Sequence, residues 1–382
     1  TQKERLYYLD WLRILAFGLL FVFHTIRFFD HFPWLVKNDE QSILASFIVG
    51  FTHGWRMHLI FFISGVGTYF ALKSRKKLFV KDRFKRLLVP FIAGIILIIP
   101  PQKFTEAIFN GWFNGSIWEY IKAYTSFIMK DHPGFSLQWT GRLGYHIWYL
   151  AFLFVMTLVS LPLLKALSKK NMLSRFLGKV AEKRFGILAF LLGIIVLDLI
   201  IRPLFPEYLN WGDFVNYGMY FILGYACMVF KGFTISQKRN IYVYLITGVF
   251  SSATSLYLFY ENPGLHEYKI DNIFYLNIIA SAIAAFSWVM FFFGLSQRKL
   301  NFDHKFRSAL NIGILPFYIL HQTVIVIIGY YVISLELGIL NKFLLILSTS
   351  FLAIILAYQI IRRINVLRVG FGMKRIKKRR RA

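Results

Sequence analysis

Residues 6–29 read LYYLDWLRILAFGLLFVFHTIRFF, a stretch that is long and apolar enough to cross a membrane as one helix. Its interior carries Arg13 and His24, which lie eleven residues apart. At roughly 100° per residue this offset places both side chains on one helical face, separated by ~16 Å along the axis. Charged and imidazole groups inside a span are costly and usually functional. The stripe formed by Asp10, Arg13, His24 and Arg27 is therefore the first candidate for the chemistry of this chain.

The rest of the chain repeats the apolar character of this segment. Of its 382 residues, 57% are hydrophobic and only 16% are charged, which excludes both a soluble protein and a single-span anchor. We predict an all-α, polytopic membrane protein in which residues 1–382 form one membrane domain with about ten transmembrane helices. The predicted spans are residues 6–29, 45–72, 86–102, 146–164, 185–201, 212–230, 241–260, 272–295, 310–333 and 339–361.

The basic residues alternate between the connections that join these spans. Most of the 45 Lys and Arg residues lie near the N-terminus, in every second connection and from Arg362 onward. The positive-inside rule then places both termini in the cytoplasm and residues 361–382 as a basic cytoplasmic tail. A net charge of +27 is also compatible with nucleic-acid binding, but its alternation favours a multi-pass inner-membrane protein whose tail faces anionic lipid.

Several kinds of site are disfavoured by the residue types and their spacing. Cys227 is the only cysteine and lies in an apolar segment, so neither a disulfide nor a thiolate metal site is expected. The histidines lack a metal-binding spacing, and we predict no metal and no permanently bound cofactor. The first span is long and contains Arg13, so we expect it to be retained rather than cleaved as a signal peptide. The aromatic-rich connection 103–145 is expected to be either interfacial structure or a lid.

Histidines mark a polar route through the predicted spans. Five of the nine lie inside or at the rim of a span: His24, His53, His58, His146 and His321. Imidazole exchanges a proton near neutral pH, although each of these rings could instead hold two helices together by a hydrogen bond. Arg56 shares a helical face with His53 and requires an anion, a water-filled cavity or an acid such as Asp10. Gly54 and Gly65, in the same span, are predicted to permit close helix approach.

The third span begins with two arginines on one face, Arg83 and Arg86, followed by Pro90, which predicts a kink. Guanidinium groups bind phosphate in a bidentate manner, so a phosphate-bearing cytoplasmic donor is expected to dock at this pair. Positive-inside topology alone would produce the same two charges.

Aromatic residues accompany the histidines of the fourth and ninth spans. The fourth span opens with His146, Trp148 and Tyr149, and the ninth carries Tyr318 three residues before His321. The Trp and Tyr of the fourth span also fit an ordinary interfacial aromatic belt. The ninth-span pair lies well inside its segment, which favours a place for both residues on the polar route.

Taken together, these motifs resemble the acyltransferase-3 family of membrane acyltransferases. The resemblance rests on Tyr8-Leu-Asp-Trp-Leu-Arg13 with His24 after ten more residues, Phe62-Ile-Ser-Gly65, Arg83-x-x-Arg86 before Pro90, His146-x-Trp148 and Tyr318-x-x-His321. It covers nearly the whole chain. The pattern His53-x-x-Arg56-Met57 is most similar to the branch that adds succinyl groups to periplasmic glucans. The chain departs from many members at Tyr358-Gln-Ile-Ile-Arg362-Arg363, where their motif has Glu before the arginine.

The resemblance implies transfer of a short acyl group from cytoplasmic acyl-CoA to a hydroxyl of an extracytoplasmic glycan. The family's first-span arginine and histidine correspond to Arg13 and His24, and its cytoplasmic arginine pair to Arg83 and Arg86. We expect His24 to deprotonate the acceptor or briefly carry the acyl group, while Arg13, oriented by Asp10, stabilises charge. The expected lining of the substrate path is His53, Arg56, His58, His146, Trp148, Tyr149, Tyr318 and His321.

Two other classes of protein are compatible with the polar stripe. A transporter or flippase of an anionic lipid or glycan would use it to pass substrate without consuming CoA. A signalling membrane module is disfavoured because the sequence has no cytoplasmic output domain. The partners expected for the acyltransferase are acyl-CoA, a carbohydrate acceptor and membrane lipids, with the oligomeric state left open.

Overall fold

The computed structural model describes residues 6–74, 78–130 and 137–376, and its regular secondary structure in these ranges is entirely helical. The helices are α1 (Tyr7–Ile26), α2 (Ile43–Ser74), α3 (Phe79–Arg83), α4 (Val89–Leu97), α5 (Ile99–Phe109), α6 (Ile117–Lys130), α7 (Trp139–Gly144), α8 (Trp148–Leu167), α9 (Met172–Glu182), α10 (Leu188–Ile201), α11 (Trp211–Val229), α12 (Lys231–Arg239), α13 (Ile241–Glu261), α14 (Asn272–Lys299), α15 (Arg307–Val332), α16 (Ile339–Ile361) and α17 (Asn365–Gly370). The basic residues 75–77 and residues 377–382, the end of the predicted cytoplasmic tail, lie outside the described ranges.

Each of the ten predicted spans coincides with a helix or a pair of helices. Within the described ranges, six helices are long and apolar enough to cross a membrane: α1, α7 with α8, α13, α14, α15 and α16. Two further spans are bent pairs, residues 79–97 with α5 at 41° and α11 with α12 at 101°. Helix α10 has only 14 residues, and α2 has 32 but carries Arg56 and two histidines in its middle. The all-α membrane fold is confirmed, whereas ten crossings and cytoplasmic termini stay predictions.

The third predicted span is interrupted at two places rather than at Pro90 alone. A π-helical turn, Phe84–Leu88, lies just before this proline and joins α3 to α4. Because Pro90 has no N–H to donate, the helical ladder is broken at this level, and Val89 donates to the carbonyl of Phe84 five residues earlier. The 41° bend itself falls further on, at Ile98, where α5 begins with two prolines.

The chain divides into two compact units, each made of three stretches of sequence. Unit 1 contains residues 1–16, 50–79 and 155–308, and unit 2 contains residues 17–49, 80–154 and 309–382. The division falls inside α1, α2, α3, α8 and α15, so each of these helices contributes residues to both units.

In unit 1, α2 and α11 touch along their backbones. A Cβ added to Gly65 would lie 1.9 Å from the carbonyl oxygen of Phe221, and one added to Gly224 would lie 2.0 Å from that of Phe62. The prediction that Gly65 permits close approach is therefore confirmed, and Gly224 is its counterpart on the other helix. Gly54 does not serve this purpose, since no described atom lies within 4 Å of its Cβ position.

In unit 2, α15 is held against the break between α4 and α5. The hydroxyl of Thr323 donates to the carbonyl of Ile98 at 3.1 Å and to Oε1 of Gln102 at 2.9 Å. A bend inside a membrane leaves backbone carbonyls without their helical partners, and a hydroxyl from a neighbouring helix can satisfy them. This contact places the middle of α15, which carries Tyr318 and His321, next to the start of α5.

The long connection 103–145 is structured over its described part. It contains the end of α5, α6 and α7, and Tyr120 and Tyr124 form a small apolar cluster with Ala107 and two phenylalanines, Phe104 and Phe113. The hydroxyl of Tyr145 donates to Glu106 at 2.5 Å. A connection with its own apolar cluster is a folded element rather than a linker, in agreement with the expectation from its aromatic content.

Candidate active site

Unit 2 brings together five of the predicted site residues. We call these residues the histidine cluster: His24 on α1, His146 on the 3₁₀ turn Tyr145–Ile147, Tyr149 on α8, and Tyr318 and His321 on α15. The ring centroids of His24 and His321 are 4.9 Å apart, and those of His146 and His321 are 5.0 Å apart. Tyr318 packs edge-on against Tyr149 with a centroid distance of 5.8 Å. All except His24 are buried.

Hydrogen bonds define which nitrogen of His24 carries the proton. Nδ1 of His321 contacts the carbonyl of Tyr318 and therefore bears a hydrogen, which makes Nε2 of His321 an acceptor in the neutral ring. Nδ1 of His24 lies 3.0 Å from that acceptor and 2.8 Å from the carbonyl of Leu20, so it is the donor to both. Nε2 of neutral His24 is then the basic nitrogen.

The third histidine is fixed by main-chain contacts from α15. Nε2 of His146 donates to the carbonyl of Ile319 at 3.0 Å, which leaves Nδ1 as its acceptor nitrogen. That Nδ1 is buried and makes no hydrogen bond within the described residues. The hydroxyl of Tyr318 donates in turn to the carbonyl of His146. These two bonds hold α15 and the start of α8 in one arrangement around His321.

The connection after α1 contains a charge cluster that was not predicted from the sequence. Asp30 is completely buried, and its carboxylate accepts from Arg27 at 2.8 Å, Lys37 at 2.9 Å and the backbone of Phe32 at 2.8 Å. Burial lowers the pKa of Lys37, and the contact with Asp30 opposes this shift. The sequence signal for this cluster was the spacing of Asp30, an acid three residues after Arg27. The cluster fixes the chain that leaves the His24 end of α1.

A second buried cation anchors the same connection. Nζ of Lys342, at the start of α16, donates to Oδ1 of Asn38 at 2.8 Å and to the carbonyl of Ile333 at 2.7 Å. The backbone of Asn38 donates to the carbonyl of Phe28 at 2.9 Å. The connection from residue 27 to 42 is therefore tied to α16 and to α1.

Asp10 and Arg13 belong to unit 1, where Asp10 has a partner that was not expected. Its carboxylate accepts from the guanidinium of Arg307, which also donates to Asp303 at 2.7 Å. Arg307 is 4% exposed, so it is a buried, ion-paired residue at the start of α15. The Arg13 side chain is exposed, and its orientation by Asp10 stays a prediction.

The polar residues of α2 also lie in unit 1. Nη1 of Arg56 lies 3.4 Å from Nδ1 of His53, which agrees with their predicted common face. His58 is buried and packs edge-on against Tyr217 and Tyr220, with centroid distances of 5.0 and 4.7 Å. Their membership of a substrate path stays a prediction.

An ion cluster in the same unit was overlooked in the sequence. Arg202, just after α10, donates to Asp213 at 3.0 Å and lies 3.8 Å from Asp198, which accepts from Asn216 at 2.6 Å. An aspartate within an apolar helix, as Asp198 is, was the signal that should have indicated it.

The remaining predicted residues lie in unit 2 outside the histidine cluster. Arg83 ends α3 and is partly exposed, and Arg86 is exposed on the π-helical turn. Trp148 is buried and packs against Phe152 at 4.9 Å, which is a core position rather than a place in an exposed aromatic belt. Among the described residues, no group of three His, Cys, Asp or Glu is arranged to hold a metal ion.

An all-helical membrane protein that holds an oriented histidine among buried aromatic residues is suited to proton transfer on a substrate inside the membrane body. The family model described as an acyltransferase domain matches residues 6–362, and the chain belongs to this acyltransferase-3 family. It is therefore an O-acyltransferase and a multi-pass protein of the inner membrane, as the motifs and charge distribution predicted.

Curated relatives cover almost the full chain. The glucans biosynthesis protein C of Shigella dysenteriae serotype 1 (strain Sd197) is 25% identical over 411 residues, which span 98% of this chain and 96% of the relative. The protein of the same name from Escherichia coli (strain K12) is 24% identical over 406 residues, with the same two coverages. No solved structure matches the chain. Membership of the acyltransferase family identifies the chain as an enzyme, and not as the transporter or signalling module that the sequence analysis also considered.

Proposed function

We propose that this enzyme moves a short acyl group, of the acetyl or succinyl class, from cytoplasmic acyl-CoA to a hydroxyl of an extracytoplasmic glucan. The name of its relatives supports a glucan as the acceptor. The predicted topology supports a donor on the basic, cytoplasmic side and an acceptor at the other end of α1. The resemblance to the succinylating branch supports succinyl within the acyl class.

The orientation of His24 carries this proposal. The Nδ1–H group of His24 donates to Nε2 of His321. When Nε2 of His24 gains a proton, the resulting His24 imidazolium therefore still donates to a neutral acceptor. The same hydrogen bond to His321 would also orient a His24 imidazole that attacks the thioester itself. The proposal therefore includes both direct transfer and a transient acyl-histidine.

In the direct route, Nε2 of His24 takes the proton of the acceptor hydroxyl while that oxygen attacks the thioester carbonyl. The tetrahedral intermediate carries a negative oxygen, and we propose that Arg13, oriented by Asp10 and ~16 Å from His24 along the same helix, stabilises charge deeper in the channel, on the donor side. Collapse breaks the carbon–sulfur bond, and the CoA thiolate takes the proton back from His24. The products are the ester and CoA-SH, with His24 neutral again.

The donor is proposed to bind through its phosphates at Arg83 and Arg86. The polar residues of α2, together with Trp148 and the members of the histidine cluster, are proposed to line the route of the reacting groups. Those of α2 are His53, Arg56 and His58. No cofactor is required, since the thioester itself supplies the activated acyl group.

The test uses the purified full chain in lipid nanodiscs with labelled succinyl-CoA or acetyl-CoA and an oligoglucan. We expect labelled glucan and stoichiometric CoA release. His24→Gln keeps a polar side chain of similar size and should reduce transfer by about 10²- to 10⁴-fold. Full transfer by a folded His24→Gln protein would refute the role of His24, and glucan movement without CoA release would favour the transporter.

Donor binding is tested separately by the rise in melting temperature on adding CoA. Arg86→Ala should diminish this rise, because the phosphate contact is lost. Lys85→Ala is the matched control, since this neighbouring cation is also exposed on the π-helical turn. An equal loss in both variants would show a general charge effect and contradict a defined site at Arg86.

A further inference from the structure

Trp34 lies beside the histidine cluster in the connection that follows α1. Its indole ring is nearly parallel to the ring of His24, with an interplanar angle of 23° and centroids 6.4 Å apart. It packs edge-on against the buried ring of Phe28 at 4.9 Å, and the guanidinium of Arg27 lies 5.9 Å from its centroid. The side chain is partly exposed. A large aromatic surface therefore borders the proposed base.

The position of this ring is set by buried polar contacts. Asp30 accepts from the backbone of Phe32 and from Arg27, and Arg27 also donates to the carbonyl of Pro33 at 2.6 Å, directly before Trp34. The backbone of Ser42 donates to the carbonyl of Phe29 at 2.7 Å and closes the far end of the connection. A ring held in this way loses little further entropy when a ligand binds.

The chemistry at His24 limits where an acceptor sugar lies. A hydroxyl that gives its proton to Nε2 must come within about 2.6–3.2 Å of it. The sugar ring that bears this hydroxyl must then occupy the space directly beside His24, which Trp34 borders. The two faces of a pyranose expose C–H groups, which pack on an aromatic face, and the ring edge carries its hydroxyls.

We propose that Trp34 is the stacking platform for the acceptor sugar and selects a pyranose ring. This inference rests on the proposed function, because it assumes that His24 acts on a sugar hydroxyl. A neutral glucan offers no charge for recognition, and hydrogen bonds to its hydroxyls only replace those made with water. The indole face provides apolar contact area and fixes the orientation of the ring.

The experiment compares Trp34→Ala and Trp34→Phe with the wild type in the nanodisc assay, and Trp118→Ala is the matched control. Trp118 is 72% exposed on α6, and its side chain has no place in the proposed site. We expect Trp34→Ala to raise the KM for oligoglucan about tenfold, the equivalent of one lost aromatic contact. Trp34→Phe should restore most of the affinity, and Trp118→Ala should behave as the wild type.

Two readouts separate sugar binding from support of His24. Slow hydrolysis of acyl-CoA by water needs no sugar, so its rate should change much less in Trp34→Ala than the KM for oligoglucan does. The rise in melting temperature caused by oligoglucan should shrink in Trp34→Ala and not in Trp118→Ala. An unchanged KM for oligoglucan in Trp34→Ala, or an equal loss of hydrolysis and glucan transfer, would refute the proposal that Trp34 stacks on the acceptor sugar.

The melting measurement also distinguishes this inference from the proposed function. If the wild type transfers no acyl group but oligoglucan stabilises it through Trp34, the proposed reaction fails and the sugar site stands. If the wild type transfers acyl groups and oligoglucan stabilises Trp34→Ala fully, the sugar site fails and the reaction stands.

Discussion

Replacing His321 by Gln or by Asn separates the two hydrogen bonds that this residue makes. The Oε1 atom of Gln reaches the position of Nε2 and keeps the acceptor for Nδ1–H of His24. The amide of Asn reaches the position of Nδ1 and keeps only the donor to the carbonyl of Tyr318. Both variants place a polar side chain in the same buried position, which is 1% exposed in the native protein.

The expected size of the effect follows from the bond that is lost. The hydrogen bond between Nδ1 of His24 and Nε2 of His321 is 3.0 Å long, and it becomes charge-assisted when His24 holds the proton of the acceptor. A hydrogen bond to a charged group contributes about 1.5–3 kcal/mol. Since 1.36 kcal/mol is a tenfold change in rate, His321→Asn should lower kcat about 10- to 150-fold. His321→Gln should stay within roughly tenfold of the native rate.

The assay measures kcat and KM for oligoglucan with saturating acyl-CoA in nanodiscs. A lost interaction with the protonated base lowers kcat and kcat/KM together, with little change in KM. Melting temperatures report whether each variant is folded, and His266→Gln, at an exposed histidine, is the control. Equal rates for the Asn and Gln variants, or a native rate for His321→Asn, would refute the role of His321 in positioning His24.

The structure supports two further predictions, both about stability. Asp30→Asn leaves two cations without their carboxylate and should lower the free energy of unfolding by about 3–5 kcal/mol, measured by thermal melting. Raising the pH toward 10.5 should recover part of this loss. Burial lowers the pKa of Lys37 in the folded protein, so the unfolded chain holds the Lys37 proton more tightly, and the free energy of unfolding rises as the pH rises. Gly224→Ala would place Cβ 2.0 Å from the carbonyl of Phe62 and should cost about 1–3 kcal/mol, whereas Gly67→Ala on α2 meets no described atom within 4 Å and should cost nothing. A pH-independent Asp30→Asn deficit, or equal melting of the two alanine variants, would contradict these expectations.

Features that depend on one segment at a time were predicted well from the sequence. Each predicted span coincides with helical structure, because the requirement to bury about twenty apolar residues acts locally. The spacing of His53 and Arg56 also predicted their contact, since residues three apart on a helix are neighbours wherever that helix lies. The kink was placed less well, because the 41° bend falls at Ile98, just before the two prolines at the start of α5, and not at Pro90.

Contacts between distant segments were decided only by the tertiary structure. The sequence places His24 and His321 inside apolar spans, but it does not show that they meet across 297 residues of sequence. The same holds for Asp10, whose pairing with Arg307 also spans 297 residues and which the sequence had linked to Arg13 or to Arg56. The sequence by itself determined the membrane fold, the family and the candidate groups, because these follow from residue types and short-range spacing. The packing of the helices determined which groups are partners, because a hydrogen bond requires two atoms about 3 Å apart whatever their separation along the chain.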